Sequence, residues 1–155
     1  MPRLWKSVLA SPRKLIGLGG RDYRTLAETL ALLCYVRLGL TFSSLTRLQG
    51  RLLSADAVRV RAAGGERDPY KLAWRVQSVA RLVPNATCLT QGLALQTMLH
   101  RRGVASELKL GVRRTGDNGL AAHAWVIVGG KVVLGGSARD LREFAPIAEF
   151  GAGPQ

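Results

Sequence analysis

A chain of 155 residues with 23 Lys and Arg against 10 Asp and Glu, a formal net charge of +13, is sized for one domain or one domain with an arm. Its 47% apolar residues fit a globular core, and its charge favours acidic partners such as nucleic acid, an anionic membrane surface, or an acidic protein or peptide. Two cysteines and two histidines exclude a disulfide scaffold and give no metal-ligand spacing, so no metal or cofactor is expected and a reduced, cytoplasmic setting is the simplest.

Residues 1–21 read as a basic arm with one short helix, carrying Arg3, Lys6, Arg13 and Lys14 and closed by Gly17, Gly19 and Gly20. The apolar run from Ser7 to Ala10 is too short for a signal-peptide core. The longest apolar stretch, Leu30 to Phe42, contains Arg37 and falls short of a membrane span. Neither secretion nor a transmembrane helix is expected. Contact of the basic arm with a membrane surface stays open without being expected, a solvated arm being the preferred reading.

Asp22 is placed to cap a long helix reaching about Leu48, with Leu26, Leu30, Leu33, Val36, Leu40 and Leu48 as a broad apolar stripe. Cys34 lies within this apolar region and reads as a small buried side chain. Gly50 and the segment Arg51 to Arg61 form a basic, helix-compatible continuation, ended by Gly64-Gly65. Asp68-Pro69 is a cap followed by a first-turn proline, opening a helix to about Val83 with Leu72, Val76, Val79, Leu82 and Val83 on its core side and Trp74 on its flank.

Pro84 and Asn85 are turn residues, and Thr87 is a plausible N-cap for a helix that starts at Cys88. Leu89, Leu93, Met98 and Leu99 recur at roughly helical spacing, and Arg101, Arg102 and Gly103 form a basic last turn and a stop. After Gly103 the period changes. Glu107 to Arg113 alternates as a half-buried strand, Thr115 to Gly119 is a turn-rich loop, and Leu120 to Val128 is a second strand holding His123. Gly129-Gly130 signals a two-residue hairpin, Lys131 to Leu134 a third strand, and Asp140 to Phe150 a short tail helix. Helices followed by an antiparallel meander make an α+β fold. The natural division is a basic helical region, 1–67, and a core, 68–155.

Cys88 in a first helical turn faces free amides and the positive end of the helix, the setting in which thiolates form. A thiol nucleophile also needs a base within hydrogen-bond reach and a group that orients the base. His123, between Ala122 and Ala124, can meet the sulfur if its strand packs beside the helix N-terminus, and Trp125, on the same strand face, can wall the site from water. Spacing alone favours structural roles for a lone cysteine and a lone histidine. His100, in the basic helix end, reads as exposed and without a catalytic role.

Taken together in this order, Ala86-Thr87-Cys88-Leu89 with Ala94-Leu95, Leu99 to Gly103, Leu110-Gly111-Val112 and Ala122-His123-Ala124-Trp125-Val126 resemble the leader peptidases of lasso-peptide biosynthesis, which are transglutaminase-like cysteine proteases. The resemblance covers about residues 68–150 and the leucine-rich helical region before them. It implies a papain-like apparatus that cuts the leader from a ribosomally made precursor, after which a separate cyclase resembling asparagine synthetase closes the ring. Carried over, Cys88 is the nucleophile and His123 the general base. The family's acid follows the histidine by about a dozen residues on the next strand. Here Val132-Val133-Leu134-Gly135-Gly136 contains none, and Asp140 is the nearest acid beyond. Asp140 either folds back onto His123 or caps the tail helix, in which case a backbone carbonyl or an amide orients a dyad. The Cys88 amide is the expected oxyanion donor, with Gln91 either assisting or lying on the surface. Residues 1–67 show no strand alternation, which implies the split form, in which a separate leader-recognition protein binds the precursor leader. The Leu26–Leu48 stripe then either serves as a docking face or packs on the core.

Two rivals follow from composition and from the missing acid. A nucleic-acid module is supported by charge, but aromatics are 6% and no basic–aromatic interleaving occurs, so no nucleic-acid partner is expected. A non-catalytic transglutaminase-like scaffold that binds peptide is the stronger alternative.

Overall fold

The computed structural model describes residues 20–56, 66–116, 119–137 and 139–152. The order is α1 (Gly20–Phe42), α2 (Leu45–Asp56), α3 (Pro69–Ala80), α4 (Cys88–His100), β1 (Ser106–Thr115), β2 (Gly119–Val128), β3 (Lys131–Leu134) and β4 (Ala145–Ala152), with a 3₁₀ turn at Asp140–Glu143. Helices followed by an antiparallel sheet ordered β3-β2-β1-β4 give the expected α+β architecture. The arm before Gly20, the whole segment 57–65, and the pair 117–118 in the β1–β2 loop lie outside the described residues.

Helix α4 is the centre. Thr87 caps it, its Oγ1 accepting from the Thr90 amide at 3.4 Å, and ten of its residues, Thr90 and Gly92 to His100, are buried. At its far end the Val104 amide reaches Leu99 O and the Gly103 amide reaches His100 O, the paired bonds of a Schellman stop, with Gly103 at φ +70°. One side of α4 lies on the sheet so closely that a Cβ on Gly92 would come within 2.7 Å of Leu108 and 3.7 Å of Val126. The remaining sides are covered by α1, α2 and α3.

The expected single helix to Leu48 is broken. Ser43 and Ser44, residues that compete for backbone hydrogen bonds, separate α1 from α2. The break turns α2 back so that Leu48 packs against Gly39, where a Cβ would meet it at 2.6 Å. Helix α1 begins two residues before Asp22. Leu33, Val36 and Leu48 are fully buried, but Leu30 is exposed, and so is Cys34, contrary to its reading as a buried thiol. The apolar stretch is also longer than the run from Leu30: Tyr23–Phe42 is long and apolar enough, by length and composition, to cross a membrane. The core contains Leu32, Leu33, Val36, Leu48 and Leu52 as well as residues after position 67, so both parts of the chain pack into one cluster.

Asp68 caps α3 through the Tyr70 and Lys71 amides, with Pro69 in the first turn as expected. The helix stops at Ala80, and the turn that follows leaves Leu82 exposed while Leu72, Val76, Val79 and Val83 are buried. Gly129 and Gly130, at φ +54° and +75°, make the hairpin that only positive φ at both positions allows.

The expected tail helix is a 3₁₀ turn and a fourth strand. β4 pairs antiparallel with β1 from Ser106↔Ala152 to Val112↔Ala145, with a register shift at Leu110/Gly111 opposite Pro146. Proline is tolerated there because β4 is an edge strand. Most β4 residues are exposed, and burial alternates only in its later part, with Ala148 and Phe150 half-buried and Ala152 buried between exposed neighbours. A buried amide ties β4 to the helices: Gln96 Oε1 accepts from Gln49 at 2.7 Å and Gln96 Nε2 donates to Phe150 O at 2.7 Å. Arg102, on the far end of α4, ion-pairs with Glu28 of α1 at 2.9 Å.

Because α1 belongs to the core, Leu33→Ala should destabilise the whole protein by about 2–5 kcal/mol. A single urea transition with a lowered midpoint and unchanged slope is the expected readout, and loss of α1 as a separate transition would contradict it.

Candidate functional site

The approach to Cys88 is a tight turn. The Ala86 amide donates to Val83 O at 3.2 Å across Pro84 and Asn85, and Asn85 sits at φ +57°. Proline then asparagine at positive φ is the type II pattern. Gln91 donates its side-chain amide to Ala86 O at 3.1 Å, bracing the turn from the helix. The half-buried Cys88 thus occupies the first position of α4, as the sequence predicts, on a fixed turn and at the positive end of a helix.

His123 is half-buried on β2, paired with Gly111 of β1. Its Nε2 lies 2.6 Å from the carbonyl oxygen of Gly135. A carbonyl has no proton to give, so Nε2 carries the hydrogen, and Nδ1 of the neutral ring is the free base. Gly135, at φ +102°, holds this carbonyl in a place no other residue fits: a Cβ would lie 2.6 Å from Trp125 Cβ and 2.7 Å from Ala124 O. Gly135 follows His123 by twelve residues, the spacing at which the family resemblance expects an acid.

An aromatic cluster fixes the plane of the imidazole. Trp125 stacks at 6.5 Å between ring centroids and Phe144 lies at 5.4 Å. The Arg113 guanidinium covers Phe144 at 5.0 Å from its ring centre and ion-pairs with Glu143. Trp125 shares a face with His123 as expected. Phe144 was not legible, since it reaches the cluster only because the tail forms an edge strand rather than a helix.

Asp140 is exposed and engaged locally. Its Oδ2 accepts from the Ser137 hydroxyl at 2.7 Å and from the Ser137 amide at 3.2 Å. These hydrogen bonds, the hydroxyl first, hold its carboxyl below the usual range, aided by Arg139. The carboxylate therefore caps its own turn, while the orienting contact on His123 comes from Gly135. His100 is buried rather than exposed, and neither ring nitrogen has a hydrogen-bond partner.

Helix α4 meets β2 through Val126, three residues from His123, so by alternation His123 and Trp125 face the other side of the sheet. Among the described residues no hydrogen bond joins Cys88 and His123. β3 pairs with β2 only at Val126 to Val128, so His123 stands where β2 has no β3 partner. Among the described residues no group of three His, Cys, Asp or Glu is placed to hold a metal ion.

A family model described as the transglutaminase-like superfamily matches residues 32–149. No curated protein and no solved structure matches the chain.

Ser137→Ala should raise the Asp140 pKa toward the ordinary carboxylate value, read by carboxyl-carbon NMR titration. A depressed folded-state pKa stabilises the fold above the unfolded value, and that contribution is lost as pH falls through the folded pKa. The variant should therefore lose part of this acid-side dependence. An unchanged Asp140 titration would mean that the cap is absent in solution.

Proposed function

We propose that this chain, which belongs to the transglutaminase-like superfamily, is a cysteine peptidase that uses Cys88 as nucleophile and His123 as general base. The observation that carries the reading is the Gly135 carbonyl on His123 Nε2, which leaves Nδ1 as the base without any acid. Nδ1 takes the thiol proton, and the thiolate adds to the scissile carbonyl. The Cys88 amide donates to the oxyanion. The imidazolium returns its proton to the departing amine, giving an acyl-enzyme. Water, deprotonated by the same imidazole, then releases the acid product.

Substrate binding must bring Sγ and Nδ1 within hydrogen-bond reach. Such contacts are often loose in unliganded enzymes and tighten in the complex. The unpaired stretch of β2 at His123 offers the edge across which they approach. A neutral carbonyl orients the ring but stabilises the imidazolium less than a carboxylate does.

The finer reading rests on the motifs around Cys88 and His123, which resemble those of lasso-peptide leader peptidases. On it, the enzyme removes the leader of a ribosomally made precursor in the cytoplasm, working with a separate leader-recognition protein and a cyclase. A second reading is favoured by a carbonyl, rather than an acid, on the His123 ring: a peptide-binding scaffold that performs no cleavage.

Incubation of the protein with the co-encoded precursor and leader-binding protein, followed by mass spectrometry, decides between them. Cys88→Ala and His123→Ala should abolish cleavage. Asp140→Asn should cleave near the wild-type rate, rather than fall by the roughly 10⁴-fold that loss of a triad acid produces. Cleavage by Cys88→Ala would overturn the mechanism, and leader binding without cleavage by the wild type would establish the scaffold. Phe144→Ala, which frees the imidazole plane, should lower kcat by up to about 10²-fold with KM unchanged. Phe144→Tyr should restore it.

A further inference from the structure

Helix α1 breaks the rule for a surface helix. One side is core, with Leu33 and Val36 fully buried. The opposite side should be polar. Instead Tyr23, Leu30, Tyr35, Leu38 and Phe42 are exposed along it, Leu38 at 61% and Phe42 at 83%. Their spacing follows the helical period, so they form one stripe roughly 28 Å long.

Among the described side chains the charge around the stripe is mostly positive. Among the described side chains of α1 and α2, the bases are Arg24, Arg37, Arg47 and Arg51 and the acid is Glu28. Glu28 is paired with Arg101 and Arg102, so it does not offset the positive field outward. The acids Glu107 and Glu149 of the sheet and Glu143 of the 3₁₀ turn are likewise paired, with Lys109 and Arg113. Beside the stripe lies a cleft of about 410 Å³ lined by Ala31, Leu32, Tyr35 and Leu52 and by the charged Glu28, Arg51 and Arg101. Its apolar lining beside the Arg51 guanidinium, with Glu28 held by Arg101 and Arg102, suits an acyl chain that ends in an anionic head.

We propose that the exposed face of α1 lies on an anionic lipid surface, with its apolar stripe in the headgroup–acyl boundary and the arginines of α1 and α2 on the lipid phosphates. A second copy of the chain is the poorer occupant, because it would bring two positive faces together in a molecule of net charge +13. The attachment is peripheral, since the other side of α1 is held in the protein core. The inference does not depend on the peptidase reading.

Vesicle co-sedimentation of the full chain tests it. Binding to phosphatidylcholine vesicles containing phosphatidylserine should exceed binding to phosphatidylcholine alone by about tenfold or more and should fall as salt is raised. Leu38→Glu and Phe42→Glu, at exposed positions that leave the core intact, should each lose most of that binding. Leu82→Glu, exposed but off the stripe, should bind as the wild type does. Circular dichroism shows whether each variant is folded, and either stripe variant suffices. No preference for anionic vesicles overturns the proposal. So does binding that survives both stripe variants, which would make it a charge effect alone. A dimer in light scattering that the stripe variants dissolve, without vesicle binding, assigns the face to a second copy and overturns it too.

Discussion

Helix α4 has no side that water can wet. Its apolar residues, including Leu93, Leu95, Met98 and Leu99, are buried, together with Thr90, Gln96 and Thr97. An isolated helix of its length would not persist in water, so it exists only once the sheet and the three other helices close around it. Gly92 sets how near the sheet can come. Everything that positions Cys88 follows from this enclosure, because the residue stands at the one end of α4 that emerges from it.

Local chemistry was therefore the most legible part of the chain. Asp68 and Thr87 cap the helices that follow them, Gly129-Gly130 turns the hairpin, and Pro84-Asn85 forms the turn before Cys88, each through bonds among near neighbours in sequence. What failed depended on distant neighbours. β4 alternates only from Ala148 to Ala152, and Pro146 on this edge strand masks the rest, so the tail does not read as a strand. Cys34 is exposed because α1 is apolar on both sides, and periodicity says nothing about which side meets the core. His100 is buried because α4 is enclosed to its last residue, although a run of bases follows it.

The candidate site divides along the same line. Cys88 and His123 were legible from residue type and order, and Trp125 from strand alternation. The Gly135 carbonyl was not, because a backbone oxygen leaves no mark on sequence; only the doubled glycine after β3 hinted at an unusual backbone path. Phe144 depended on the fate of the tail. The superfamily match across residues 32–149 includes the C-terminal part of α1, from Leu32, and all of α2, consistent with a core to which these helices contribute side chains.

The buried amide of Gln96 carries a consequence for how the chain is made. It accepts from Gln49 of α2 and donates to Phe150 of β4, so its two partners lie on either side of it in sequence, 47 and 54 residues away. β4 is C-terminal to every other described element. During synthesis α2, α4 and the hairpin leave the ribosome before it does. Until β4 docks, β1 keeps an open edge and Gln96 holds an unanswered donor in an otherwise apolar interior. The nascent chain is thus an unfinished sheet in which the helical half is already paired, and its closing step waits for the last strand to clear the exit tunnel.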